Sequence, residues 1–402
     1  MSMTVIANLI GLRCRWQSGP QNFRPGGEMI ASDEVRRRLF FYLRIILAMR
    51  IPSLCRVLTC HGGVLLACLL TIVGSAWSQE LPSPAVLRPV PEPAFVQSGP
   101  GHSAAVTVRG PCDPDYWIVS ARCCNDRLEC GLDCNYQVFR FDGPGPGRRG
   151  DLQEMYASLE PGVPVCIMVH GSFVLWESVL RDSAATYRWL RKAAPERPVK
   201  MIFFSWPSDE AHNMVPHALD TADARRLGHR AEMNSLYLAD IVSRVPDSNS
   251  ISLIGHSHGA RMVSTTLHLL SGGLVHGRCF KGGPYNHQRI RTVLAAAAMD
   301  HDWLNPGERY DMALCRTEAV LNVRNRFDLP LFFHPTHQLF ASRALGRAGV
   351  TMYDEYRLGK RACRITECDV TSLIGCRHVW GHYYNEPKIA CAIRHYVYFD
   401  ER

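Results

Sequence analysis

A chain of 402 residues that is 47% hydrophobic and only 20% charged is too apolar for disorder and long enough to bury one large core or two ordinary ones. Its formal net charge of +8 sits mostly at the start, where residues 1–78 hold nine Arg against three acidic residues and so carry +6 of it. The remainder is close to neutral, which gives no reason to expect nucleic acid or an anionic surface as a partner.

In chain order, the first feature is the apolar run VLLACLLTIV from Val64 to Val73, preceded by Arg50 and Arg56 and followed by Ala76-Trp77-Ser78. The run is shorter than the roughly 20 residues a membrane-spanning helix needs, and its flanks follow signal-peptide grammar. Residues 1–78 are therefore predicted to be an N-terminal extension and signal peptide, with Met49 as the true start. No stable membrane span is expected after cleavage, and an uncleaved anchor is the alternative. Residues 79–110, which contain LPSPAVLRPVPEPAFVQSGPG at 81–101, read as a proline-rich linker.

The expected folded domain, 111–402, opens with β-prone runs at 116–120 and 136–139 on either side of a turn rich in Cys, which reads as a hairpin stapled by disulfides. Of sixteen Cys, twelve fall after residue 78, many for a reduced compartment. Export and disulfides fit each other, so a periplasmic, cell-surface or secreted location is expected. Cys112, Cys123, Cys124, Cys130 and Cys134 form one group and Cys363, Cys368 and Cys376 another; neither contains paired CxxC knuckles, so zinc is the weaker reading.

From residue 163 short, wholly apolar runs alternate with longer amphipathic segments. Strands are predicted at 163–171, 199–206, 251–256, 292–300, 319–328 and 362–371, with helices at 176–193, 220–245 and from the elbow at 257 to Ser271. Apolar runs without alternation are what a mostly parallel sheet covered by helices on both faces requires.

Gly255-His256-Ser257-His258-Gly259 lies between one such strand and a helical pattern, the setting in which a GxSxG segment holds a nucleophile. A tight turn between strand and helix lifts the serine hydroxyl clear of the sheet, and the glycines leave room for the neighbouring chain. Serine is a poor nucleophile alone and needs a base and an acid, which in this fold follow it in sequence. Asp328 is the expected acid, with Asp300 as rival and Asp302 close by; helix capping is the structural alternative for either aspartate. The base is expected in Gly375–Tyr384, which carries His378 and His382; His378 is favoured because it sits nearer the turn at Gly375. The oxyanion donors are expected to be the N–H of His258 and that of Ser172 or Phe173. His170, Gly171, Trp206 and His256 are expected around the pocket. This chemistry requires neither metal nor cofactor, and the paired histidines lack the intervening Glu of a zinc protease.

These pieces, namely His170-Gly171, Phe204-Ser205-Trp206-Pro207-Ser208, the GHSHG elbow, Asn325-Arg326-x-Asp328 and the terminal histidine segment, resemble a bacterial family of exported α/β hydrolases of unassigned substrate over roughly residues 115–395. The resemblance implies an α/β-hydrolase fold and a triad of Ser257, Asp328 and a histidine within 378–382, with Trp206-Pro207 beside the site. The leading expectation is an esterase-like serine hydrolase on a small-molecule ester or related acyl compound. The alternatives are a catalytically idle binding protein on the same fold and a peptidase or amidase with the same triad.

Overall fold

A computed structural model of the chain describes residues 114–124, 135–143, 145–209, 221–282, 289–334 and 341–400. The expected leader and linker, Cys112, Cys130, Cys134 and most of the segment between Trp206 and Thr221 lie outside the described residues. Among the described residues no helix is long and apolar enough to cross a membrane.

The strands are β1 (Tyr116–Ser120), β2 (Gln137–Phe141), β3 (Arg148–Gly150), β4 (Val165–Val169), β5 (Lys200–Ser205), β6 (Ile251–His256), β7 (Ile290–Ala295), β8 (Ala319–Arg324) and β9 (Ile365–Asp369). They form one nine-stranded sheet in the order β3-β2-β1-β5-β4-β6-β7-β8-β9. Pairs β1–β2 and β2–β3 are antiparallel and every other neighbouring pair is parallel.

The period of two along each strand separates the core into two layers. Val165, Ile167 and Val169 of β4 join Ile251 and Leu253 of β6 on one face, where Leu227, Ala231, Leu238 and Ile241 pack with Met262, Val263 and Leu267. Cys166 and Met168 of β4 face the other way with Ile254, against Val179, Tyr187 and Leu190 and the C-terminal residues Ile389, Ile393 and Val397. The covering helices are α1 (Trp176–Ala193), α2 (Thr221–Ser243), α3 (His258–Leu270) and, towards the end of the chain, Pro387–Tyr398. Helix α1 buries Val179, Ser183, Thr186, Tyr187 and Leu190, spaced for one face, and its last turn carries Arg191 and Lys192 where the helix dipole favours cations. The result is the α/β architecture expected, with helices on both faces.

Three expectations are corrected. The β1–β2 hairpin does not precede the sheet but belongs to it: β1 pairs parallel with β5, because Tyr116–Val119 is apolar on both sides and needs both faces covered. Residues 148–150, among which no strand was predicted, form the exposed edge strand β3, where arginine side chains suit a solvated edge. Strands β7 and β8 stop at Ala295 and Arg324, short of Asp300 and Asp328. At Ala296 the backbone turns to φ 45°, and the N–H of Ala298 then bonds the carbonyl of Ser257 at 3.2 Å, which ends β7 beneath the elbow.

The cysteines divide differently from the two groups in sequence. Cys124 is disulfide-bonded, whereas Cys123, Cys363, Cys368 and Cys376 are free thiols.

The topology also fixes where a ligand can sit. From β4 the chain crosses to β5 on one side, and from β6 it proceeds through β7, β8 and β9 on the other. The connections diverge between β4 and β6, and a crevice opens at the carboxyl ends of strands at such a switch point.

Candidate active site

Ser257 stands at that switch point, between the end of β6 and the first turn of α3. Its backbone adopts φ 55° and ψ −122°, a conformation that non-glycine residues rarely hold. Its N–H bonds the Ala295 carbonyl at 2.9 Å, so the strained turn is gripped by the neighbouring strand. Both elbow glycines are sterically required. A Cβ on Gly255 would lie 2.5 Å from the Cα of Ala260, and one on Gly259 would lie 2.3 Å from the carbonyl oxygen of Val169.

The hydroxyl of Ser257 is 2.9 Å from His378 Nε2, and His378 Nδ1 is 2.8 Å from Asp328 Oδ2. All three side chains are buried. With Nδ1–H donated to the carboxylate, Nε2 is left to accept the serine proton, the orientation a general base needs. The same carboxylate caps a helix: its Oδ1 accepts from the N–H of Leu331 at the start of the short helix Leu329–Phe332, as the capping alternative anticipated.

Asn325 decides which histidine reaches the serine. It is fully buried at the exit of β8, and its Nδ2 donates to the carbonyls of Gly375 at 2.7 Å and Arg377 at 3.2 Å. The loop carrying His378 is thereby tied to the segment carrying Asp328. His382 lies instead on the turn Trp380–His382, and its pKa is lowered by burial and by Arg377. Asp300, the rival acid, is also paired with a histidine, but with His334, whose Nε2 is 2.8 Å away; its second oxygen accepts from the N–H of Ser342. Asp302 accepts from the hydroxyl of Ser342.

The loop after β4 lies against Ser257: a Cβ on Gly171 would be 3.0 Å from both Ser257 Cβ and His256 Nδ1. Trp206 is wholly buried, stacks on the His170 ring and donates from Nε1 to the His170 carbonyl at 2.9 Å, so this pair anchors the loop. His170 Nδ1 donates to the Gly171 carbonyl, and its Nε2 accepts from the N–H of Trp206. The expectation of a donor at Phe173 is corrected: its N–H is given to the Ser208 carbonyl at 2.7 Å, and its φ of 60° belongs to that turn. Ser172 is the remaining candidate on this loop, beside the first-turn N–H of His258 on α3.

His256 packs against His378, Trp380 and Tyr383 and donates from Nε2 to the main-chain carbonyl of His378 at 2.7 Å. Burial, with His378 beside it, keeps its pKa well below the ordinary value of 6.5. Burial and the Arg122 guanidinium hold His170 at about 3. Both folded-state values lie below the unfolded one, so the contribution to stability is full above about pH 6.5. It falls as the pH drops, because the unfolded chain takes up protons that the folded chain refuses. Urea unfolding between pH 6.5 and pH 4 should show a loss of up to about 1.4 kcal/mol per pH unit for each such ring. A flat profile would mean that these rings accept protons in place.

Among the described residues one trio of metal-ligating side chains converges, His229, Glu232 and His276. Glu232 already accepts from Arg261, Arg309, Tyr310 and His276. Two guanidinium groups on the carboxylate oppose a divalent cation, so the trio reads as part of a structural ion network.

A strained serine elbow at the switch point of a doubly covered parallel sheet, with acid and base following in sequence, is the arrangement of the α/β-hydrolase fold. No family model matches the chain, and no curated protein matches it. Eleven solved chains do. One is the lin2722 gene product from Listeria innocua, at 11% identity and TM-score 0.33, covering 60% of this chain and 95% of that one. Another is esterase B from Lactobacillus rhamnosis, inhibited by a tributyrin phosphonate, at 10% identity and TM-score 0.34, covering 68% and 81%. A third is an iodinated acetyl xylan esterase, at 12% identity and TM-score 0.28, covering 58% and 97%. At these scores the likenesses carry no argument about this chain, whose fold stands on its own strand order and elbow.

Proposed function

We propose that this chain is a serine hydrolase that cleaves a carboxylic ester or related acyl compound through an acyl-enzyme intermediate. The observation that carries the reading is the continuous hydrogen-bonded chain Asp328–His378–Ser257, with steps of 2.8 and 2.9 Å, buried at the carboxyl edge of the sheet. Ser257 Oγ attacks the acyl carbon as its proton passes to His378 Nε2. The resulting oxyanion is met by the N–H groups of His258 and Ser172. His378 returns the proton to the leaving alcohol, and water, deprotonated by the same nitrogen, releases the acid. Asp328 holds the imidazole in the required tautomer and stabilises its protonated form. The leader grammar of residues 50–78 and the disulfide-bonded Cys124 support an exported protein.

The test is labelling of the full chain, expressed in an oxidising compartment, with a fluorophosphonate probe, beside turnover of p-nitrophenyl esters of graded acyl length. Stoichiometric labelling at Ser257 with ester turnover is expected, and matched anilides should be far slower. Folded protein that neither labels nor turns over would instead be a binding protein on this fold, and faster anilide cleavage would make it an amidase.

A further inference from the structure

The two residues proposed to supply the oxyanion donors are joined by their own side chains: Ser172 Oγ lies 2.7 Å from His258 Nδ1. His258 is 5% exposed and its ring occupies a slot opened by Gly228 on α2, where a Cβ would lie 3.3 Å from His258 Nε2 and 2.4 Å from Arg261 Nη1. The bare Cα of Gly171 lets the same loop close on Ser257. On either side of Ser172 the loop is held separately, by Trp206 Nε1 at the His170 carbonyl and by the Ser208 carbonyl at the N–H of Phe173. Among the described residues no main-chain carbonyl accepts the N–H of Ser172.

We propose that the Ser172–His258 pair is a positioning device that sets the geometry of the oxyanion hole, an inference that rests on the serine-hydrolase reading. Its two backbone donors come from different segments, the loop after β4 and the first turn of α3. They serve a developing oxyanion only if both stay within about 2.7–3.1 Å of the place it will occupy. A side-chain bond between the same two residues fixes that spacing directly, and it does so whichever atom is the donor. The link acts through the backbone and touches no reacting atom, so its loss should weaken transition-state binding while leaving substrate binding alone.

The full chain is assayed with p-nitrophenyl butyrate, with a butyl trifluoromethyl ketone as reversible tetrahedral probe and fluorophosphonate labelling alongside. Ser172→Ala and His258→Phe remove the bond; Ser172→Thr and His258→Asn can retain it. We expect the first two to lower kcat about 10- to 100-fold with KM changed less than about twofold, and to weaken the ketone by a similar factor. The double variant Ser172→Ala/His258→Phe should be no worse than either single one, and the retaining variants should recover most of the rate. Wild-type kcat in Ser172→Ala, losses that multiply in the double variant, or a loss confined to KM would each overturn the proposal. Should His258→Phe not fold, the Ala and Thr variants at 172 with the ketone decide it. A wild type that neither labels nor turns over removes the hydrolase reading and this inference together. An active, labelled wild type with indifferent variants removes this inference alone.

Discussion

Replacing Ser257 or His378 with alanine should lower kcat/KM on p-nitrophenyl esters by about 10⁴- to 10⁶-fold, while His382→Ala stays within about threefold of wild type. The contrast follows from geometry: His378 Nε2 is 2.9 Å from the serine hydroxyl, whereas His382 sits on a separate turn four residues on. Asp328 offers a finer separation because its two oxygens do different work. Asp328→Asn keeps an oxygen to accept from Leu331, and so should retain the helix cap, yet it cannot hold the Nδ1–H tautomer of His378 and should lose about 10⁴-fold in kcat. Asp328→Ala should show the same order of kinetic loss and, in addition, about 0.5–2 kcal/mol less stability from the missing cap. Steady-state kinetics and urea unfolding on the same preparations check both. Equal losses at His378 and His382 would refute the assignment of the base.

The largest stability effect is expected at Glu232 on α2. Its carboxylate is fully buried and accepts from Arg261 on α3 at 3.0 and 2.8 Å and from Arg309 and His276 at 2.7 and 2.6 Å. Burial alone would raise its pKa, but Arg261, His276, Arg309 and Tyr310 hold it well below the usual carboxylate range. Glu232→Gln leaves the nearly buried Arg261 without its counter-charge and should cost about 3–5 kcal/mol by urea or thermal unfolding. Because the folded value is depressed, the wild-type contribution is complete above about pH 4.3 and is lost as the pH falls through the folded value. The variant should therefore show a flatter acid limb, and a loss below about 1 kcal/mol would mean that water screens the network.

What could be read from the sequence and what could not separate along physical lines. The helix at 176–193 and the strands at 165–169 and 251–256 follow from local periodicity, and the elbow follows from glycines with no room for a Cβ. The order serine, acid, base is a property of chain direction through the sheet. The choice between His378 and His382 depends on Asn325 gripping carbonyls 50 and 52 residues away, for which neighbouring residues leave no trace. Asn325 was legible only as part of the segment Asn325-Arg326-x-Asp328, and nothing in its surroundings marks it as a clamp. Asp300 shows the same limit: it has the acid's chemistry and a buried histidine partner, and only its register sends it to His334. The loss of Phe173 as a donor turns on the position of the Ser208 carbonyl, and the place of β1 inside the sheet was not legible because its partners on β5 lie 85 residues later.

That Ser257, Asp328, His378 and the loop at 170–173 all leave the sheet at its carboxyl rim has a practical corollary for the opposite rim. There Glu160, Pro161, Pro246, Asp247 and Ser248 are exposed on turns that close on one another, as in the bond from the N–H of Gly162 to the Ser248 carbonyl. Strands of five or six residues put those turns roughly 17–20 Å from the carboxyl rim. A tether, tag or solid support attached at 246–248 would hold the protein with the serine turned outward, so that surface immobilisation and access of reagents to Ser257 need not compete.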